Sequence, residues 1–170
     1  MPDVKALAFA ERYHRFAATQ PYHPVRGQDL DRIGESLRDA ATNNRQRAYA
    51  LILWGEALLE EGRYQKAWEV FWEARYYSGT EHQVVRGFAT AHIASTLTHQ
   101  GKTEEAMRYA NSAMRDLKPC EKSHPSEYGF AVCINREARW RLNHPNPWPI
   151  VRLWHFVFRE RYGTLVLEVI

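Results

Sequence analysis

The chain has 170 residues, 45% of them apolar and 13% aromatic, a composition too apolar for a disordered chain and sufficient for one domain with a single core. Its formal charge is only +3, and no apolar run approaches the roughly 20 residues that span a bilayer, so neither a basic protein overall nor a membrane-spanning one is expected. Two cysteines, Cys120 and Cys133, are too few for a disulfide framework, and the start MPDVKALAFAERYHRFAATQ lacks the apolar core of a secretory signal; a reducing, cytoplasmic setting is expected.

Glycine and proline divide the chain into helical segments. The first covers about 3–18, with Ala6, Phe9, Ala10, Tyr13 and Phe16 at three-and-four spacing. Pro21, Pro24 and Gly27 break it. The second, about 29–42, opens on Asp29 and Asp31, acids suited to a helix N-terminus, and carries Leu30, Ile33, Leu37 and Ala40 as a stripe. A third over 45–61 stops at Gly62, because glycine tolerates the left-handed conformation that ends helices. A fourth runs over 64–77 to Ser78–Gly79, and a fifth from Thr80–Glu81 to Gly101. Thr103 is the expected cap of a sixth, with Glu104 and Glu105 in its first turn and Pro119 beyond its end. A seventh is expected over 126–142 and an eighth over 149–162, followed by GTLVLEVI, the one β-prone stretch.

The segments repeat. Setting Gly62 against Gly101, an offset of 39, places Ala67 on Ala106, Ala74 on Ala113, Leu58 on Leu97 and Gly55 on Ala94. Small residues recur where helices cross because only they let two backbones approach. This pattern resembles the tetratricopeptide repeat, whose helix pair has a large residue, Leu–Gly and an aromatic on the first helix and Ala, Phe and Ala on the second. Residues 48–79 are similar through Trp54–Gly55, Leu58, Gly62, Tyr64, Ala67, Phe71 and Ala74. Residues 87–119 follow through Ile93–Ala94, Leu97, Gly101, Ala106, Ala113 and Pro119, with Ala110 in place of Phe. Flanking these, 3–42 and 126–162 are degenerate hairpins, and 163–170 is an apolar tail. The resemblance implies one all-α domain, a right-handed superhelix of antiparallel helix pairs with about seven to eight helices. Gly55 is then small so that Ala67 and Phe71 can pack close, and Trp54 and Phe71 are expected buried between the two helices of that pair.

In the family, the first helices of successive repeats line a concave groove that takes the ligand. The resemblance places Tyr49, Ile52, Leu53, Glu56 and Glu60 there from one repeat, and Phe88, Ala91, His92, Ser95 and His99 from the next. The lysine and asparagine with which the chaperone-binding branch clamps a peptide's carboxylate are absent. Glu56 and Glu60, one turn apart, favour a basic or amine-bearing ligand, although a solvated acidic face has the same pattern.

No enzyme emerges. His92 and His99 are seven residues apart, about 10 Å along a helix, too far to share an ion. Cys120, His124, Cys133 and His144 fit no compact zinc spacing, so no metal and no cofactor is expected. Phosphate loops, nucleophile elbows and metalloprotease motifs are absent. Residues 136–161 hold six arginines against two glutamates, interleaved with Trp140, Trp148 and Trp154, which can bind single-stranded nucleic acid or simply rim a core.

The expected function is a non-enzymatic protein or peptide interaction module, an adaptor or scaffold with a basic partner. The alternatives are a sensor or regulatory protein akin to repeat-containing transcription regulators, and nucleic-acid binding through the C-terminal block. Between 150 and 158, seven of nine residues are apolar, more than one helix face can bury, and such patches mark interaction sites. A homodimer through Trp154, Phe156, Val157, Leu165 and Leu167 is expected, unless the N-terminal segments fold over that patch.

Overall fold

The computed structural model describes residues 4–20 and 24–144. Within them the chain forms seven α-helices and no strand: α1 (Val4–Thr19), α2 (Gly27–Ala40), α3 (Asn44–Glu60), α4 (Tyr64–Ser78), α5 (Gln83–His99), α6 (Thr103–Leu117) and α7 (Pro125–Asn143), with one 3-10 turn at Lys118–Cys120. The eighth helix, the β-prone tail and the self-association residues Trp154, Phe156, Val157, Leu165 and Leu167 lie outside the described residues.

Each helix packs chiefly on its chain neighbours, and α5 also meets α3 and α7. That pattern gives two layers: α3, α5 and α7 side by side, with α4 and α6 behind them. The all-α array of helix pairs expected from the sequence is therefore present.

The offset of 39 is structural as well as sequential. Gly62 and Gly101 both have φ +77°. At the first stop the Gly62 N–H donates to the Leu59 carbonyl and the Arg63 N–H to the Leu58 carbonyl; at the second, Gly101 donates to Thr98 and Lys102 to Leu97. These paired bonds are one and the same left-handed helix stop, used twice, and each satisfies carbonyls that a helix end would otherwise orphan. The following helices also start alike, with Ala67 N–H on the Arg63 carbonyl and Ala106 N–H on that of Lys102. Thr103 is consequently not the cap. Lys102 holds that position and the Thr103 hydroxyl turns back to the Gly101 carbonyl, because the turn itself already delivers the chain in helical register.

Two other boundaries shift. Gly27 opens α2 instead of lying in the break, at φ +61°, its N–H donated to Glu61 Oε1 at 2.7 Å. A carboxylate from the end of α3 thus faces the positive end of α2. Helix α5 begins at Gln83, two to three residues after the expected start. Asn43 caps α3 by accepting from the Gln46 N–H at 2.9 Å, while the Gln46 side chain accepts in return from the Thr42 N–H, a reciprocal cap that was not anticipated.

Glycine sets the distance between helices at three crossings. An added Cβ on Gly55 would stand 2.5 Å from the ring of Phe71, on Gly34 2.2 Å from that of Trp54, and on Gly87 2.6 Å from Leu117. Phe71 and Trp54 are both buried as expected. Phe71 closes the α3–α4 pair, whereas the Trp54 ring lies on Gly34 of α2, with the Lys66 ammonium of α4 5.3 Å from its centre. Gly34 has no side chain to resist it, so the largest residue of α3 bridges back to the preceding helix.

Between α2, α3 and α4, Asp31 accepts from Arg63 at 2.8 Å and lies 2.9 Å from the Lys66 ammonium. Burial pulls the Asp31 carboxyl upward, but the bonds to Arg63 and Lys66 outweigh it and hold the group below the usual carboxylate range.

Candidate functional site

Helix α3 gives Trp54 to α2 and Gly55 to α4, which leaves Glu56 for the side toward α5. Helix α5 is buried almost all round, from Gly87 to Thr98, because it is flanked on both sides within its layer and backed by α4 and α6. Of the expected groove residues, Tyr49, Ile52, Phe88, Ala91, His92 and Ser95 are buried, Leu53 and His99 are half-buried, Glu56 is partly accessible, and Glu60 is exposed. His99 stacks on Tyr64 of α4, ring centres 5.3 Å apart. It does not converge with His92.

The structure brings together Glu56 and His92. Glu56 Oε1 is 3.1 Å from His92 Nε2, bridging α3 and α5. The approach lacks hydrogen-bond directionality, so Nε2 has no partner that meets the angular requirement despite the short distance. We regard the contact as electrostatic proximity, since distance alone does not make a hydrogen bond. The imidazole is fixed from three sides: stacked on Phe71 at 4.8 Å, edge-on to Phe88 at 4.6 Å, and tilted against Phe130 of α7 at 4.6 Å. Tyr13 of α1 is also within electrostatic reach of Glu56; it is buried, and its hydroxyl is pushed well above its usual pKa first by burial and then by Glu56 and Tyr49.

Tyr13 and Phe130 were not among the expected groove residues. They extend a row that was: Tyr49, Phe88 and Phe130 each sit on a helix of this layer, and Tyr13 on α1 lies near Tyr49. The aromatic residue type was the available signal, but the spacing changes from one pair to the next as loop lengths change, so a fixed offset does not find the two outer members.

The arginines at the end of α7 divide. Arg141 donates to the Thr98 carbonyl at 3.0 Å and pairs with Glu137 at 2.8 Å, which ties α7 to the end of α5. Burial nonetheless keeps the Glu137 carboxyl above its usual range, against the pull of Arg141. Arg136, Arg139 and Trp140 are exposed, and Trp140 stacks on His144. On the opposite layer, Trp68, Trp72 and Tyr109 form an edge-to-face series with the Arg75 guanidinium 5.0 Å over Trp72, and Tyr76 beyond them is exposed. In the sequence its one-turn spacing on α4 looks the same as core.

No helix among the described residues is long and apolar enough to cross a membrane. No protein-family model matches the chain, and neither a curated protein nor a solved structure is significantly similar to it.

Proposed function

We propose that the chain is a non-enzymatic interaction module of tetratricopeptide type, an adaptor or scaffold that takes a protein or peptide partner of basic character in the cytoplasm. The observation that carries this reading is the helix pair used twice, 44–78 and 83–117, with the same glycine-centred stop at Gly62 and Gly101. Arrays of that kind build extended surfaces from a short unit and place no demand on catalytic side chains. The partial exposure of Glu56 and the exposed Glu60 supply the acidic character. The test is capture of cellular proteins by the full chain and by Glu60→Lys, a substitution at an exposed position that leaves the core alone. A partner retained by the native chain and lost by the variant is expected; identical retention by both refutes the acidic face.

The reading includes a homodimer through the apolar residues after 149. Light scattering on the intact chain, and on one ending at Gly163 with Phe156→Glu, is expected to give a dimer and a monomer respectively; a monomeric intact chain refutes it. Exposed Arg136, Arg139 and Trp140 support a second reading, nucleic-acid binding, tested by a labelled single strand across a salt series, where binding that ignores salt rejects it.

A further inference from the structure

We propose that the groove in front of α3, α5 and α7 is filled by the chain's own residues 149–162, which a partner must displace. The proposal rests on the interaction-module reading and adds the regulation of its surface.

Burial is the first observation. Every residue of α5 from Gly87 to Thr98 is buried, a run that passes all round the helix axis about three times. Helices α3 and α7 flank α5, and α4 and α6 back it, so among the described residues its front has no layer over it. Helix α1 does not supply one, since its principal described neighbour is α2. Yet the expected groove residues are closed to solvent: Tyr49 keeps 4% of its surface, Phe88 3%, Ala91 0% and Ser95 1%. An empty groove would not shut away two aromatic rings. Helix α1 repeats the observation. Phe9, Tyr13 and Phe16 are buried, Phe9 completely, although α2 is the main described helix beside them. Tyr13 is within electrostatic reach of Tyr49 and Glu56, which puts α1 on the groove side of the array. Two apolar surfaces are thus covered beyond what the described helices cover.

Position, length and charge select the occupant. Residues 149–162 lie outside the described residues, and the described chain leaves α7 after Asn143. Arg141 donates to the Thr98 carbonyl at 3.0 Å, so the chain departs beside the end of α5. Pro145, Pro147 and Pro149 bar a continuation of α7 and favour a change of direction. As a helix, residues 149–162 would be about 21 Å long, against about 25 Å for α5, so one segment matches the groove. Arg152, Arg159 and Arg161 outnumber Glu160 within it, while the groove carries Glu56, partly accessible, and Glu60, exposed. The segment therefore has the apolar and basic character expected of the partner. Seven apolar residues of nine between 150 and 158 exceed what one groove-facing side holds, so the opposite side stays available to the homodimer.

The test is hydroxyl-radical footprinting of the full chain and of the full-length double variant Trp154→Glu, Phe158→Glu, read by mass spectrometry. Oxidation of Tyr49 and Phe88 is expected to rise severalfold in the variant, while Phe71, fully buried between α3 and α4, stays protected as the control for folding. Unchanged oxidation of Tyr49 and Phe88 overturns the proposal. Should Phe71 lose its protection too, the variant has unfolded and a second measurement decides. Trp154 is replaced by p-benzoylphenylalanine in the otherwise native chain, and the photo-cross-links are mapped in a mixture of isotope-labelled and unlabelled chains. Cross-links to α3 or α5 within one molecule are expected. Cross-links to those helices only between molecules assign the groove to a second copy and overturn the proposal, as do cross-links that miss both helices. Failure of the module reading looks different. A groove that opens in the variant of a chain capturing no cellular protein leaves the docked segment standing and removes the module, whereas partner capture with an unchanged footprint does the reverse.

Discussion

Gly55→Ala and Gly129→Ala make the same chemical change in the interior of a helix, yet they are expected to move stability in opposite directions. On propensity alone each gains about 0.5–1 kcal/mol, since glycine loses more backbone freedom on folding than alanine. At Gly55 the new methyl would stand 2.5, 2.7 and 2.8 Å from three carbons of the Phe71 ring. Carbon atoms rest comfortably at about 3.5–4.0 Å, so α3 and α4 must separate by roughly 1 Å or the ring must turn. Turning is obstructed, because Phe71 is fully buried and stacked on His92. Overpacking of this kind costs about 1–3 kcal/mol, which outweighs the propensity gain and leaves Gly55→Ala destabilised by about 1–2 kcal/mol. At Gly129 of α7 no described atom comes within 4 Å of the added methyl, so the propensity term stands alone and the variant gains about 0.5–1 kcal/mol. Equilibrium urea unfolding followed by far-ultraviolet circular dichroism reads both, as shifts of the midpoint at constant slope. Gly55→Ala as stable as the native chain would refute the close crossing, and a destabilised Gly129→Ala would refute the open space at α7. Adding Phe71→Leu to Gly55→Ala should cost less than the two changes separately, as contacting sites are coupled.

Phe71→Ala on its own should cost about 3–5 kcal/mol, since it empties a fully buried site between α3, α4 and α5; a loss under about 1 kcal/mol in the same unfolding assay would contradict that placement. Gly62→Ala and Gly101→Ala each force a methyl into φ +77°, and both should lose about 1–2 kcal/mol by similar amounts, which thermal unfolding of the pair checks directly. Asp31→Asn should destabilise at neutral pH. The native carboxyl titrates below its usual value, so its contribution is present above about pH 4 and fades as pH falls through the depressed value. Urea midpoints of native chain and variant should therefore converge in strong acid, and a gap that stays constant across that range rules the explanation out.

Much of the fold was legible because its punctuation is chemical and local. Gly62 and Gly101 announce a helix stop wherever they stand, and the 39-residue offset between them follows from residue identity. The roles of Gly34 and Gly87 were not legible, since a lone glycine inside a helical pattern does not say which side chain presses against it; Trp54 and Leu117 do so from neighbouring helices. The cap at Thr103 was misplaced for a related reason. Residue type favours threonine, but the backbone bonds of the preceding stop decide where the next helix begins. For the site, the sequence placed Glu56 and His92 in adjacent first-layer helices without bringing them into contact. Their meeting depends on how far α3 slides along α5, which Gly55, Phe71 and the aromatic rings around His92 set jointly. Periodicity carries no information on that slide.

The position of α5 has a kinetic consequence. Among the described residues it is held by α3, α4, α6 and α7, whereas α1 rests mainly on α2 and through Tyr13 reaches α3. In an array whose units touch only their neighbours, the free energy of opening falls toward the ends. Amide protons of α5 should thus exchange last and those of α1 among the first. A protease meeting the native protein would cut within α1 long before it reached Ala91, and the trimmed product would keep the α3–α5 layer intact. Damage at the N-terminal end would erode the array gradually, while damage in α5 would collapse both flanks at once.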